Sequence, residues 1–200
     1  MPLLHAIVAS TRQGRKGPLV ADWFLEQARG HGGFDVEKVD LATVNLPLFD
    51  EPAHPRLRQY THSHTIEWSN IVDRADAYVF VTPEYDHGPP AALLNAVQYL
   101  LHEWACKPVG FVSYGGVSGG SRSVQAIIPV LTTLRMMPIV DAVTIPFFAR
   151  LIDKDSGRFD PGPVQEEAST RMLDEILRWT RALAPLREDY AARMRMPRAE

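Results

Sequence analysis

The stretch AYVFVTPEYDHGPPAALLNAVQYL, residues 77–100, decides the fold. It opens with an almost unbroken apolar run that stops at Pro83. After a polar loop, Leu93, Leu94, Val97 and Leu100 recur at helical spacing, and Leu101 and Trp104 continue the stripe. A strand apolar on both faces, followed by an amphipathic helix, is the βα unit of a parallel sheet with helices on each side. The loop between them carries Glu84, Tyr85, Asp86 and His87, and Pro89 and Pro90 stiffen the way into the helix.

Outward from this unit the same pattern repeats. Strands are expected at Leu3–Ala9, Phe34–Asp40, Ala77–Thr82, Pro108–Ser113 and Val140–Ile145. Helical stripes fall at Val20, Trp23, Phe24 and Ala28, at Val124, Ile127, Ile128, Leu131 and Leu134, and at Met172, Leu173, Ile176 and Leu177. Alternating strands and helices predict an α/β three-layer sandwich. Five parallel strands with right-handed crossovers give the order 2-1-3-4-5, the flavodoxin-like arrangement. Residues 1–200 read as one domain. Pro47–Thr65 is a long Pro-rich connection, and residues from about 183 to 200 form an exposed helical tail.

Bulk properties narrow the function classes. A net charge of −3 and 46% hydrophobic residues suit a compact core and offer no basic face for nucleic acid. Apolar runs are strand-sized, so no membrane span is expected, and the N-terminus lacks the basic start of a signal peptide. A cytoplasmic location follows as an expectation. The single cysteine, Cys106, has no base beside it and reads as a structural side chain. His54, His62 and His64 lack metal-ligand spacing, so no metal is expected. No G-x-S-x-G elbow marks a hydrolase.

Ligands of open α/β sheets bind beyond the carboxyl ends of the strands near the switch point, so the loops after strands 1, 3 and 4 are the ones to read. STRQGRKG, Ser10–Gly17, combines hydroxyls, turn-forming glycines and the cations Arg12, Arg15 and Lys16 just ahead of a helix with Pro18 in its first turn. That is a phosphate cradle or, equally, a solvated basic turn. Its spacing matches neither a P-loop nor a Rossmann fingerprint. The loop after strand 3 presents Tyr85 and His87 to a flat heterocycle, or is a plain helix entry capped by Asp86. Glu84 could act as an acid or base, but reads rather as a surface carboxylate or the partner of a basic side chain. SYGGVSGGSR, Ser113–Arg122, holds four glycines within six residues, more than a tight turn needs.

These three blocks, together with PLFDEP and EWSNIVDRADAYVFVTPEY, resemble the NADPH-dependent FMN reductase family from Leu3 to about Val143. The resemblance implies a flavoenzyme that takes hydride from NADPH or NADH onto bound FMN and passes it to a small-molecule acceptor such as a quinone, a flavin or an azo dye, by ping-pong. It assigns the FMN phosphate to Ser10, Arg12, Arg15, Gly17, Pro18 and Leu19. The isoalloxazine falls to Pro83, Glu84, Tyr85, Asp86 and His87, and the rest of the pocket to Ser113, Tyr114, Gly115 and Gly116. No protein nucleophile is needed. Backbone donors at Gly115 and Gly116 would stabilise charge on the ring. A homodimer or homotetramer is implied. Asp86, Pro90 and Leu94 stand where the family commonly has Asn, Gly and Lys, and an anion at Asp86 would disfavour flavin reduction. Two other readings stay open at this level: a non-enzymatic electron carrier, which the small net charge disfavours, and a flavin-free interaction domain on the same scaffold.

Overall fold

The computed structural model describes residues 1–195. Its sheet runs β2 (Asp35–Asp40), β1 (Leu3–Val8), β3 (Ala77–Pro83) and β4 (Pro108–Tyr114), all parallel. The fifth position is shared by two short strands, β5 (Met137–Pro138) against Pro108 and Val109, and β6 (Val143–Ile145) against Val112–Tyr114. The order is therefore the expected one, but the last strand is broken. Val140, expected inside it, is 97% exposed in the gap. Its apolar side chain mimicked a strand that the ladder does not make there.

All seven residues of β3 and of β4 are buried, which explains their unbroken hydrophobicity. Alternate side chains serve opposite layers. Leu4, Ala6, Val8, Val79 and Val81 pack with Val20 and Phe24 of α1 (Gly17–His31) and Met172 and Ile176 of α6 (Pro163–Arg195). Ile7, Phe80 and Phe111 face the other way. They pack with Trp68 of α3 (Ser63–Arg74), Val97 of α4 (Ala91–Gln98) and Ile127 of α5 (Ser121–Thr133). The short α2 (Leu41–Val44) follows β2 directly and is capped by the Asp40 carboxylate.

One helix ends sooner than expected, and the long connection has a polar anchor. The stripe expected as one helix through Trp104 leaves α4 after Gln98 and continues in turns, with Leu100 and Trp104 still fully buried. Pro47–Thr65 is ordered around Glu51, whose buried carboxylate accepts the N–H groups of Thr61 and His62 at 2.9–3.1 Å. Burial raises the pKa of that acid, but the N–H groups of His62 and Thr61 and the Thr61 hydroxyl bring it down to about 2. From residue 183 the chain continues α6. Arg187 pairs with Asp76 at 2.8 Å and the Tyr190 hydroxyl meets His102 at 2.7 Å. The final part of the expected tail, residues 196–200, lies outside the described residues.

Parallel pairing brings the carboxyl ends of β1, β3, β4 and β6 abreast. Val8 lies beside Val81, Pro83 beside Tyr114, and Tyr114 beside Ile145. Whatever follows these strands shares one edge of the molecule.

Candidate functional site

A cleft of about 350 Å³ opens at that edge, lined by Arg12, Lys16, Pro83–Tyr85, Tyr114–Gly116 and Phe147–Arg150. Its floor is the end of the sheet. Its basic side is the turn leading into α1.

That turn is shaped around Gly17. A Cβ there would overlap Ser10 Oγ and lie 2.7 Å from the Tyr114 hydroxyl, so only glycine allows the helix to start so close to β1 and β4. Ser10 is fully buried, with Oγ 3.3 Å from the same hydroxyl. Burial raises the Tyr114 pKa to about 12, so the phenol stays protonated and can donate. Among the described residues, the N–H groups of Arg12, Gly14, Lys16 and Gly17 have no protein acceptor. Open donors at a helix start, beside Arg12 and Lys16, suit a phosphate dianion.

Not every expected cation points there. Arg15 makes a two-pronged pair with the Asp40 carboxylate at 2.9 and 2.7 Å and also donates to the Ser10 carbonyl at 2.9 Å. It ties the loop to the end of β2 and does not line the cleft. Pro18 and Leu19 form the first turn of α1, and Leu19 packs into the core on the α1 face.

On the opposite side, Tyr85 and Gly88 exchange backbone hydrogen bonds at 3.0 and 2.9 Å. This closes a two-residue turn with Asp86 and His87 at φ of 47° and 67°. Asp86 is therefore not the helix cap, since α4 begins at Ala91 behind Pro90. Both turn residues are exposed and lie outside the cleft lining, whereas Pro83, Glu84 and Tyr85 lie within it. The Glu84 carboxylate accepts Ser118 Oγ at 2.8 Å, the Arg122 N–H at 3.1 Å and Arg122 Nη1 at 3.0 Å. Burial opposes its ionisation, but these donors hold its pKa below the usual value. Glu84 thus clamps the loop after β3 to the glycine turn.

In the glycine turn, Tyr114, Gly115 and Gly116 face the cleft, while Ser113 is buried beneath Gly120 with no hydrogen-bond partner for its hydroxyl among the described residues. The Gly115 N–H is already donated to the Ile145 carbonyl at 3.2 Å. Of the two donors expected for a ring, only that of Gly116 is open. The carbonyls of Gly115 and Gly116 accept the N–H groups of Phe148 and Phe147. That segment, Phe147–Arg150, was not anticipated, although it follows β6 at the same sheet edge and the switch-point rule covers it equally.

The cradle fits FMN: a helix start with free donors and two cations for a phosphate, and a cleft walled by Tyr85, Tyr114 and Phe148 for a flat ring. Cys106 is half-buried before β4, at the far end of that strand. His62 and His64 stack and hydrogen-bond to Asp50.

Known proteins point the same way. The family model for NADPH-dependent FMN reductase matches residues 2–150. An NAD(P)H-dependent FMN reductase of Schizosaccharomyces pombe is 40% identical over 148 residues, 72% of this chain and 74% of the relative. One from a Nectria species is 32% identical over 155 residues, 74% and 77% of the two chains. Among solved structures, the flavoenzyme NAD(P)H:(acceptor) oxidoreductase FerB of Paracoccus denitrificans superposes with a TM-score of 0.70 at 17% identity, over 91% of this chain and 98% of that one. That likeness bears on the fold.

Proposed function

The chain belongs to the NADPH-dependent FMN reductase family, and we propose that it seats FMN in the carboxyl-end cleft and carries reducing equivalents from NADPH or NADH to a small-molecule acceptor. It is an oxidoreductase of the FMN reductase and quinone reductase type. Bound FMN supplies the redox chemistry; the chain supplies position, charge and exclusion of water. Open N–H groups from Arg12 to Gly17 and the side chains of Arg12 and Lys16 hold the phosphate. The edge at Pro83–Tyr85 and the Gly116 N–H orient the ring. Glu84, through Ser118 and Arg122, keeps those two edges in register.

The observation that carries this reading is the convergence, in one cleft, of unpartnered backbone donors, the cations Arg12 and Lys16 beside them, and an aromatic wall. Donor and acceptor would use the same cleft in turn, which gives ping-pong kinetics. Candidate acceptors are a quinone, a flavin or an azo compound; similar proteins are named a quinone reductase and an NADPH azoreductase. Among the described residues no helix is long and apolar enough to cross a membrane. A cytoplasmic homodimer or homotetramer of one domain completes the proposal, and light scattering on the purified protein tests the assembly.

The direct test is an absorption spectrum of the protein with FMN, before and after anaerobic NADPH. Bound flavin that bleaches supports the reading. Flavin that binds but resists both nicotinamides indicates an electron carrier instead, and failure to bind flavin overturns the site.

A further inference from the structure

Phe147 is the feature of the cleft that packing does not explain. It stands in the left-handed region, at φ 49° and ψ 35°, where a bulky L-residue is strained. Its neighbour Phe148 has a structural reason for its place, with its ring 4.9 Å from that of Tyr114 and its side chain against the core. The Phe147 ring is 43% exposed and lines the cleft.

The strained residue is nevertheless held firmly. Its N–H donates to the Gly116 carbonyl at 2.9 Å, and its carbonyl accepts the Arg150 N–H at 2.9 Å. The Arg150 guanidinium lies 4.6 Å from the ring centroid, and Arg150 also lines the cleft. An aromatic ring kept strained, held by its backbone hydrogen bonds and left exposed at a cleft has the form of a stacking platform. Strain retained at an open site points to a ligand contact.

Building on the proposed function, we infer that Phe147 is a specificity-determining residue of the acceptor subsite, where it stacks a flat aromatic acceptor. A ring of this kind stacks on Phe147 in offset or edge-to-face geometry. A compact inorganic oxyanion gains nothing from such a wall, so the platform favours flat aromatic acceptors over metal oxyanions.

The test uses the FMN-loaded protein without nicotinamide, so that no turnover occurs. Menadione is titrated in and followed by its perturbation of the flavin absorption. Phe147→Asn removes the ring and places at this position a residue that tolerates a left-handed backbone. Menadione affinity should fall about tenfold, the gain expected of one aromatic stack. FMN affinity should stay unchanged, and Tm should rise because the strain is relieved. Phe147→Tyr should retain menadione binding. Unchanged menadione affinity in Phe147→Asn overturns the inference, as does a parallel loss of FMN, which would make the ring a support for the flavin. A wild type that takes up FMN but not menadione also overturns it while leaving the proposed function standing. A wild type that takes up no FMN removes both.

Discussion

Two clefts open at the two ends of the sheet, and the larger one is not the candidate site. The cleft at the amino ends, about 430 Å³, is lined by Arg58, Lys107 and Arg187 among others. Those side chains each have a partner within the protein, although Arg187 Nη1 has none among the described residues. Arg58 pairs with Asp73 at 3.2 Å and with buried Glu103 at 3.1 Å, and Arg187 pairs with Asp76. The Lys107 ammonium donates to the carbonyls of Val72 and Asp73 and to the Tyr78 hydroxyl, and burial lowers its pKa to about 8. It terminates α3 as a cation should. At the carboxyl ends the smaller cleft keeps Arg12 and Lys16 without a carboxylate partner among the described residues, and its one lining acid, Glu84, is taken by Arg122. Polar groups the fold leaves unpartnered, more than volume, single out the smaller cleft as the candidate.

If the two ends are independent, damage at one should spare the other. The largest effect is expected from Gly17→Val. Its side chain would displace Ser10 and Tyr114 and block the donors, weakening FMN binding a hundredfold or more, about 3 kcal/mol. Fluorescence titration of FMN measures this, with circular dichroism as the check on folding. Retained FMN affinity would mean that the phosphate sits elsewhere.

At the amino end, Arg58→Ala leaves Glu103 buried with only the hydroxyls of Tyr60 and Ser69 as partners. Because Arg58 is itself half exposed, a loss of about 2 kcal/mol is expected, below that of a fully buried pair. Urea unfolding reads the loss. FMN affinity should not move, and a comparable fall there would couple the two ends.

A smaller contrast lies within one loop. Arg12→Ala and Lys16→Ala should each weaken FMN binding by about 1 kcal/mol, with a reduced salt dependence and little change in stability. Arg15→Ala should do the reverse, lowering stability through the lost Asp40 pair. Equal effects of all three on FMN would return Arg15 to the phosphate.

That contrast also shows where sequence reading stops. The strand order and the two buried faces were legible because β3 and β4 are apolar throughout and the helices carry regular stripes. Helix α3 was not, since Trp68 and Val72 are its only buried large apolar residues amid polar neighbours. That the loops after three adjacent strands would share one edge was legible from the strand order. The duties of individual residues were not. Asp40 lies 25 positions from Arg15, and nothing local announces their pairing. The donation of the Gly115 N–H to Ile145 depends on the register of β4 with β6. Phe147 went unread because a broken edge strand gives little pattern to draw the eye to the loop behind it.

The smallest expected effect concerns Glu84, and it is a matter of pH. Its ionised form is favoured in the folded protein, because Ser118 and Arg122 donate to it, and its pKa lies below the ordinary 4.5. A carboxylate depressed on folding contributes stability that is fully present above its unfolded pKa. That contribution is lost as the pH falls below about 4.5 and through the folded value. Arg122 is half exposed, so water screens the pair and the contribution is modest. Glu84→Gln should therefore leave Tm nearly unchanged on acidification from pH 7 to 5, and should flatten the decline of Tm below pH 4.5 relative to the wild type. The same variant loosens the clamp between the loop after β3 and the glycine turn, so FMN should bind slightly more weakly at neutral pH. An acid limb identical to the wild type would show that the clamp holds without its charge, and that the hydrogen bond from Ser118 alone keeps the two edges of the cleft together.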